Sequence, residues 1–336
     1  MPKYLIIRFS SIGDIVLTTP VARALRQQLG AEVHYLTKAS FQSVLKANPH
    51  VDRIHTIRKE VKEVLPQLRA ERFDGIIDLH NNLRSRQVRL GLFSVPARGF
   101  NKLNLEKWLM VRLKINRLPK VHIVDRYLKA VAHLGVINDG KGLDYFIPPA
   151  DELDAGVFIR SRGLDLVSNP DKMPPEASYT AFVIGAAHAT KRLPADKIID
   201  FCRRIEGPVL LLGGPEDAET GKTIAAQAGE HVINACGRCN LNQSASLVRQ
   251  AGLVITHDTG LMHIAAAFRK KIISVWGNTI PEFGMYPYYP ADMDLNTTLE
   301  VNGLPCRPCS KIGFGECPKG HFRCMRGIEW EDPVIF

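Results

Sequence analysis

Leu253-Val254-Ile255-Thr256-His257-Asp258-Thr259-Gly260-Leu261-Met262-His263-Ile264-Ala265-Ala266-Ala267 passes from a short apolar run directly into small and apolar residues at helical spacing. The stretch reads as a buried strand, a sharp glycine turn and a helix. Such a junction is a seat for an anion, because the first N–H groups of a helix lack partners and its dipole is positive there. Thr259 and His263 add side-chain donors, and Gly260 lets a phosphate come close.

A second junction stands at the other end of the chain. Tyr4-Leu5-Ile6-Ile7-Arg8-Phe9 is followed by Ser10-Ser11-Ile12-Gly13-Asp14 and an apolar-periodic helix to about Leu29. Further strands are expected at Val33–Leu36, Ile54–Ile57 and Gly75–Leu79, with helices near 39–47, 60–72 and 122–135. After a polar, proline-bearing stretch from Asp151 to Pro175, read as a linker, the alternation restarts. Strands then fall at Ala181–Ile184, Val209–Leu212, Val232–Ile233, Leu253–Ile255 and Ile272–Val275. Helices lie between them near 194–205, 218–228, 243–250 and 260–268. Alternating strands and helices imply parallel α/β sheets. Two doubly wound domains result, 1–165 and 175–336. Ligands bind beyond the carboxyl ends of such strands, so the loops after Phe9, Ile184, Leu212 and Ile255 should line a cleft between the domains.

A chain of 336 residues suits two cores, and 45% hydrophobic residues supply them. Its seven cysteines do not read as a disulfide framework, the first residues lack the apolar core of a signal peptide, and no run approaches a bilayer span. A cytoplasmic location is expected. The net charge of +10 arises in residues 84–129, which hold twelve Lys or Arg against Glu106 and Asp125. Leu103, Leu105, Trp108, Leu109, Met110, Val111 and Leu113 are interspersed among them. Two readings stand level: a basic solvated face with a packed apolar side, or a surface for an anionic membrane or acidic amphiphile. No nucleic-acid-binding motif is present, and nucleic acid is not expected as a partner.

Lys191, in the loop His188-Ala189-Thr190-Lys191-Arg192-Leu193-Pro194, stands before a helix start, where a cation is disfavoured by the dipole. That position favours a phosphate contact over a plain surface lysine. Asp14 at a helix start reads on its own as an N-cap. Gly221-Lys222-Thr223 resembles the end of a P-loop, but Glu216 replaces the required glycine and three carboxylates would repel a triphosphate. The loop is read instead as a ribose contact through Glu216. No G-x-G-x-x-G follows any strand, which argues against a dehydrogenase. Cys306-x2-Cys309-x7-Cys317-x6-Cys324, with His321 nearby, has structural zinc as one explanation, and reduced thiols or a redox pair in a compact basic tail as the other. Cys236-Gly237-Arg238-Cys239 lies in a turn and is discounted as a redox motif, and Cys202 reads as core.

Ser10-Ser11-Ile12-Gly13-Asp14, Lys191-Arg192-Leu193-Pro194 and Asp258-Thr259-Gly260-Leu261-Met262-His263, in that order along nearly the whole chain, resemble glycosyltransferase family 9. Its best-known members are ADP-heptose:lipopolysaccharide heptosyltransferases. The resemblance implies the GT-B fold, two Rossmann-like domains facing a cleft, with the nucleotide sugar on the C-terminal one. It implies Asp14 as catalytic base, which reverses the N-cap reading, and Lys191 on the diphosphate. It further implies Asp258, Thr259, Gly260 and His263 in the donor turn, and Ser11, Gly13, Thr190 and Glu216 are taken with the donor site. The expected reaction is a single inverting displacement with ADP-heptose as donor and no required cofactor. The expected acceptor is an anionic lipid A–inner core glycolipid at the cytoplasmic face of the inner membrane. A GT-B nucleotide-sugar epimerase and a non-catalytic sugar-nucleotide or glycolipid-binding module are the competing readings.

Overall fold

Two all-parallel sheets make up the computed structural model, which describes residues 1–162 and 179–330. The first is built from β1 (Lys3–Ile7), β2 (Glu32–Lys38), β3 (Arg53–Ile57), β4 (Gly75–Asp78) and β5 (Ala97–Gly99), in the order β3-β2-β1-β4-β5. Its helices are α1 (Ile12–Val16), α2 (Thr19–Leu29), α3 (Leu65–Ala70), α4 (Leu83–Gly91), α5 (Asn104–Leu113) and α6 (Ile123–Leu128), with α7 (Ala155–Arg160) after them. The second sheet has β6 (Thr180–Val183), β7 (Val209–Leu212), β8 (Val232–Asn234), β9 (Leu253–His257), β10 (Lys271–Trp276) and β11 (Asn296–Glu300). Its helices are α8 (Ala195–Arg204), α9 (Ala218–Ala228), α10 (Leu241–Gln250), α11 (Gly260–Ala267) and the short α12 (Arg323–Arg326).

The second sheet runs β11-β10-β9-β6-β7-β8. In both sheets the order reverses beside the first strand, between β1 and β4 and between β6 and β9. Crevices open at such reversals because the connections leave to opposite faces. The strands are apolar on both sides, as sheets covered by helices require: Leu5, Ile6, Ile7, Leu210, Leu211 and Val254 are wholly buried. Gly221-Lys222-Thr223 lies inside α9 rather than in a phosphate loop.

Several expected helices are broken, and prolines account for two of the breaks. The helix expected over 15–29 is α1 and α2, with Pro20 in the first turn of α2. The 60–72 segment is a 3-10 turn followed by α3, with Pro66 in its first turn. Proline has no N–H to continue a preceding helix but suits a helix start. The 39–47 segment holds a 3-10 helix over Ala39–Val44 instead of an α-helix. α4, α5, β5 and β11 had no counterpart in the sequence reading.

Part of the expected linker is structured. α7 lies within it, and the chain there bonds to the second unit: Asp151 accepts from Asn240 and Asn242, and Glu152 pairs with Arg249 at 2.7 Å. Ser168-Asn169-Pro170, Met173-Pro174-Pro175 and the domain boundary itself lie outside the described residues.

Candidate active site

The two glycine junctions meet. Gly13 in α1 and Gly260 at the start of α11 stand so close that a Cβ on Gly13 would lie 2.5 Å from His263 Cδ2 and 3.3 Å from Gly260 Cα. A Cβ on Gly260 would in turn lie 2.7 Å from Ile12. Only glycine fits at both positions. The carboxyl-end crevices of the two sheets therefore open onto one gap.

On the first unit Asp14 occupies the opening turn of α1. Arg8 Nη2 lies 2.6 Å from Asp14 Oδ1, while the Ser11 N–H and hydroxyl donate to Oδ2 at 3.1 and 2.9 Å. Burial alone would raise this carboxyl's pKa. Arg8 and the Ser11 bonds outweigh it and hold Asp14 below the usual carboxylate range, fully ionised near neutrality. Arg8 is itself buried and tied down by donation to Ser10 O, Leu79 O and the Tyr127 hydroxyl at 2.8, 2.6 and 3.1 Å. Sequence reasoning took Arg8 for an ordinary strand residue. The available signal was a lone cation at the carboxyl end of an apolar strand, next to the loop.

Asp78, the last residue of β4, was missed likewise. Wholly buried, it accepts the His80 and Asn81 N–H groups at 3.1 and 2.7 Å and shapes the loop beside Arg8. Lys102 donates to the His80 and Asn81 carbonyls at 3.0 and 3.2 Å. Lys107 of α5 leans over the Phe283 ring, 5.9 Å from its centroid. Burial lowers the Lys107 pKa to about 8, assisted by Arg126 and Lys311 and opposed by Asp14. Cations thus gather around Asp14 on the first-unit side of the gap.

On the second unit Lys191 pairs with Asp258 Oδ2 at 2.6 Å, and the Thr279 hydroxyl donates to the same oxygen at 3.0 Å. Thr259 stands as N-cap of α11 with extended backbone, and no side chain caps the first turn. Its N–H groups are left for a ligand. Thr259 Oγ1 lies 3.2 Å from Thr256 Oγ1. His263 is buried and its pKa falls to about 4, through desolvation first, with Asp258 and Asp14 opposing and Lys191 assisting. At neutral pH it is an uncharged imidazole, and its Nδ1 has no partner.

The remaining expected residues divide. Glu216 is exposed in the loop after β7. Thr190 also has a structural bond: its buried hydroxyl accepts the Phe314 N–H at 2.8 Å and fastens the C-terminal tail. Ser11 holds Asp14, and Gly13 admits the close approach of α11. All seven cysteines are free. Burial pushes the Cys202 and Cys236 thiols up to about 12, which makes them inert.

The basic 84–129 segment lacks a packed apolar side along α5. Leu105, Trp108 and Leu113 are 65%, 53% and 53% exposed, and Leu83, Leu90 and Phe93 stand out nearby. No helix among the described residues is long and apolar enough to cross a membrane.

Two parallel α/β units, whose half-buried Asp14 lies in the helix of Gly13 while Gly13 meets the N-terminus of α11, have the architecture of a GT-B glycosyltransferase. The sequence profile of glycosyltransferase family 9 (heptosyltransferase) matches residues 61–312, and the chain belongs to that family. It is 24% identical to lipopolysaccharide heptosyltransferase 1 of Pseudomonas aeruginosa, over 99% of this chain and 93% of that protein. Its fold is that of a family 9 glycosyl transferase from Veillonella parvula, with TM-score 0.70, 24% identity, and 89% and 86% of the two chains covered. The E. coli heptosyltransferase solved with ADP-2-deoxy-2-fluoro heptose superposes with TM-score 0.63 at 19% identity, over 93% and 96%. Neither the epimerase nor the binding-module reading gains support from these relatives.

Proposed function

We propose that this glycosyltransferase moves a heptose from ADP-heptose to an anionic lipopolysaccharide inner-core glycolipid, with inversion at the anomeric carbon. The observation that carries the reading is the interlock of Gly13 and Gly260, which sets Asp14, His263 and the Lys191–Asp258 pair around one gap. Residues 1–165 take the acceptor and residues 175–336 the donor. The diphosphate rests on the α11 amides and draws Lys191 from Asp258, while Glu216 meets the ribose. As the bond from the anomeric carbon to the phosphate oxygen breaks, the acceptor oxygen forms its new bond and Asp14 takes the proton. The hydroxyl turns acidic only as that bond forms, so its base must be ionised and well placed rather than strong. Lys191, the amides and the dipole stabilise the departing ADP.

The chemistry is tested by transfer from ADP-heptose to inner-core acceptor, and donor choice by thermal shift. A ligand at 100 times its Kd stabilises by about 2.7 kcal/mol. ADP should therefore raise Tm well above UDP, GDP or NAD, and a preference for UDP or NAD would remove the heptosyl reading.

The acceptor's negative groups meet Lys102, Lys107 and Lys311. Since the Lys107 pKa is lowered, its charge is present below about 8 and lost above it. The acceptor kcat/KM should fall as pH rises through that range, with the donor KM flat. Lys107→Met should abolish that limb, and an unchanged profile would exclude Lys107.

The exposed apolar side chains of α5 amid arginines and lysines fit the cytoplasmic face of the inner membrane, where the enzyme would be peripheral. Sedimentation with anionic vesicles should be salt-sensitive and fall several-fold in Leu105→Ser/Trp108→Ser, with turnover on a lipid-free acceptor kept.

A further inference from the structure

The C-terminal tail carries chemistry that glycosyl transfer does not use. We propose that Cys306, Cys309, Cys317 and Cys324 bind one tetrahedral metal ion of the zinc or iron(II) class, forming a knuckle that clasps the donor-site loops. Borderline-soft divalent ions take four thiolates in this manner.

The Cys306-x2-Cys309 turn is already folded back on itself, with the Cys309 thiol donating to Cys306 O at 3.0 Å. Cys324, at the start of α12, lies within electrostatic reach of the other three thiols. Among the described residues the one trio of candidate ligand atoms within 4.8 Å of one another is His34, His55 and Glu71. Lys3 and Arg53 both pair with Glu71, so an ion there would sit between two cations. The tail thiols stand wider apart, and bonds of about 2.3 Å would have to draw them in. The loop between them can give: Gly315 and Gly320 face open space, and the segment is largely exposed.

His321 is assigned outside the ligand set. Its Nδ1 accepts the Arg323 N–H at 3.0 Å, which leaves the proton on Nε2, 3.8 Å from Cys306 Sγ. An N–H aimed at a thiolate offsets its charge without coordinating the ion. On binding, the four thiol protons pass to solvent and no electron moves.

The knuckle's neighbours give it a role. Arg307 donates to Gly277 O and Thr279 O at 2.6 and 2.9 Å, and the Cys309 N–H to Asn278 O at 3.1 Å. Thr279 in turn holds Asp258, and Phe314 holds Thr190 beside Lys191. From the first unit, Lys114 donates to Cys306 O and Pro308 O at 3.2 and 2.6 Å.

The test is metal analysis of the full chain purified under reducing conditions, a readout independent of which sugar is transferred. About one zinc or iron per chain is expected, and the element found separates the two sources. Cys306→Ser and Cys317→Ser should lose the ion while His321→Ala keeps it. Should the serine variants fail to fold, titrating the wild-type thiols with a mercurial should release the ion in step with modification. Wild-type protein that holds no metal and takes up neither zinc nor iron(II) would overturn the site, as would full retention in both serine variants. Loss from His321→Ala would overturn the four-thiolate set, and unchanged ADP affinity in the metal-stripped protein would overturn the clasp.

Discussion

Asp14→Asn is expected to lower kcat by roughly 10²–10⁴-fold, the span usual for a lost general base, while ADP raises Tm about as much as in the wild type. The amide keeps the size of the carboxylate but cannot accept the acceptor's proton. Donor binding should survive, because the proposed diphosphate contacts stand on the second unit. The pH profile adds a sign that a merely structural role would not reproduce. Arg8 and Ser11 hold the Asp14 pKa down against burial, so the acid limb of kcat/KM lies below the usual carboxylate range. Removing the cation in Arg8→Gln leaves only the Ser11 hydrogen bonds to oppose burial, and the limb should move to higher pH. Unchanged turnover in Asp14→Asn would remove the base assignment, and an unmoved limb in Arg8→Gln would remove the account of how the base is kept ionised.

Much of this site was legible because each half depends on local chain chemistry. A strand, a glycine and a helix start are encoded within a dozen residues, so both junctions, at Ser10–Asp14 and Asp258–His263, could be read without knowing what faced them. That they face each other depends on packing between units and has no local signature beyond two glycines. Arg8 and Asp78 were hidden for a related reason. Each falls within an expected apolar strand, Tyr4–Phe9 or Gly75–Leu79, where a single charged residue reads as one more strand position rather than as a buried partner. Thr190 carries a structural bond that its place next to Lys191 does not announce, since its hydroxyl fastens Phe314. α4 and α5 escaped because their charged and apolar residues follow no clean helical stripe, and α5 half-buries Lys107 and its neighbours but fully buries none. A helix without a buried face leaves little periodicity to read.

Gly13→Ala places a methyl where the gap between the units is narrowest, and kcat/KM should fall at least about 10²-fold, the loss attached to misplacing reacting groups by around 1 Å. The added Cβ would stand 2.5 Å from His263 Cδ2, inside any real carbon contact. His263 is buried on α11, so it has little room to yield and the two helices must part. Alanine suits a helix better than glycine, so α1 itself loses nothing. Each unit should therefore keep its own core, and far-UV circular dichroism should match the wild type while turnover collapses. The matching substitution, Gly260→Ala, meets Ile12 at 2.7 Å and should act in the same direction. The pair separates geometry from chemistry, because both variants keep the Asp14 carboxylate and the Lys191 ammonium themselves. Wild-type turnover in both alanine variants would mean that the reaction does not need the two junctions in register, and the shared gap would lose its claim to be the active site.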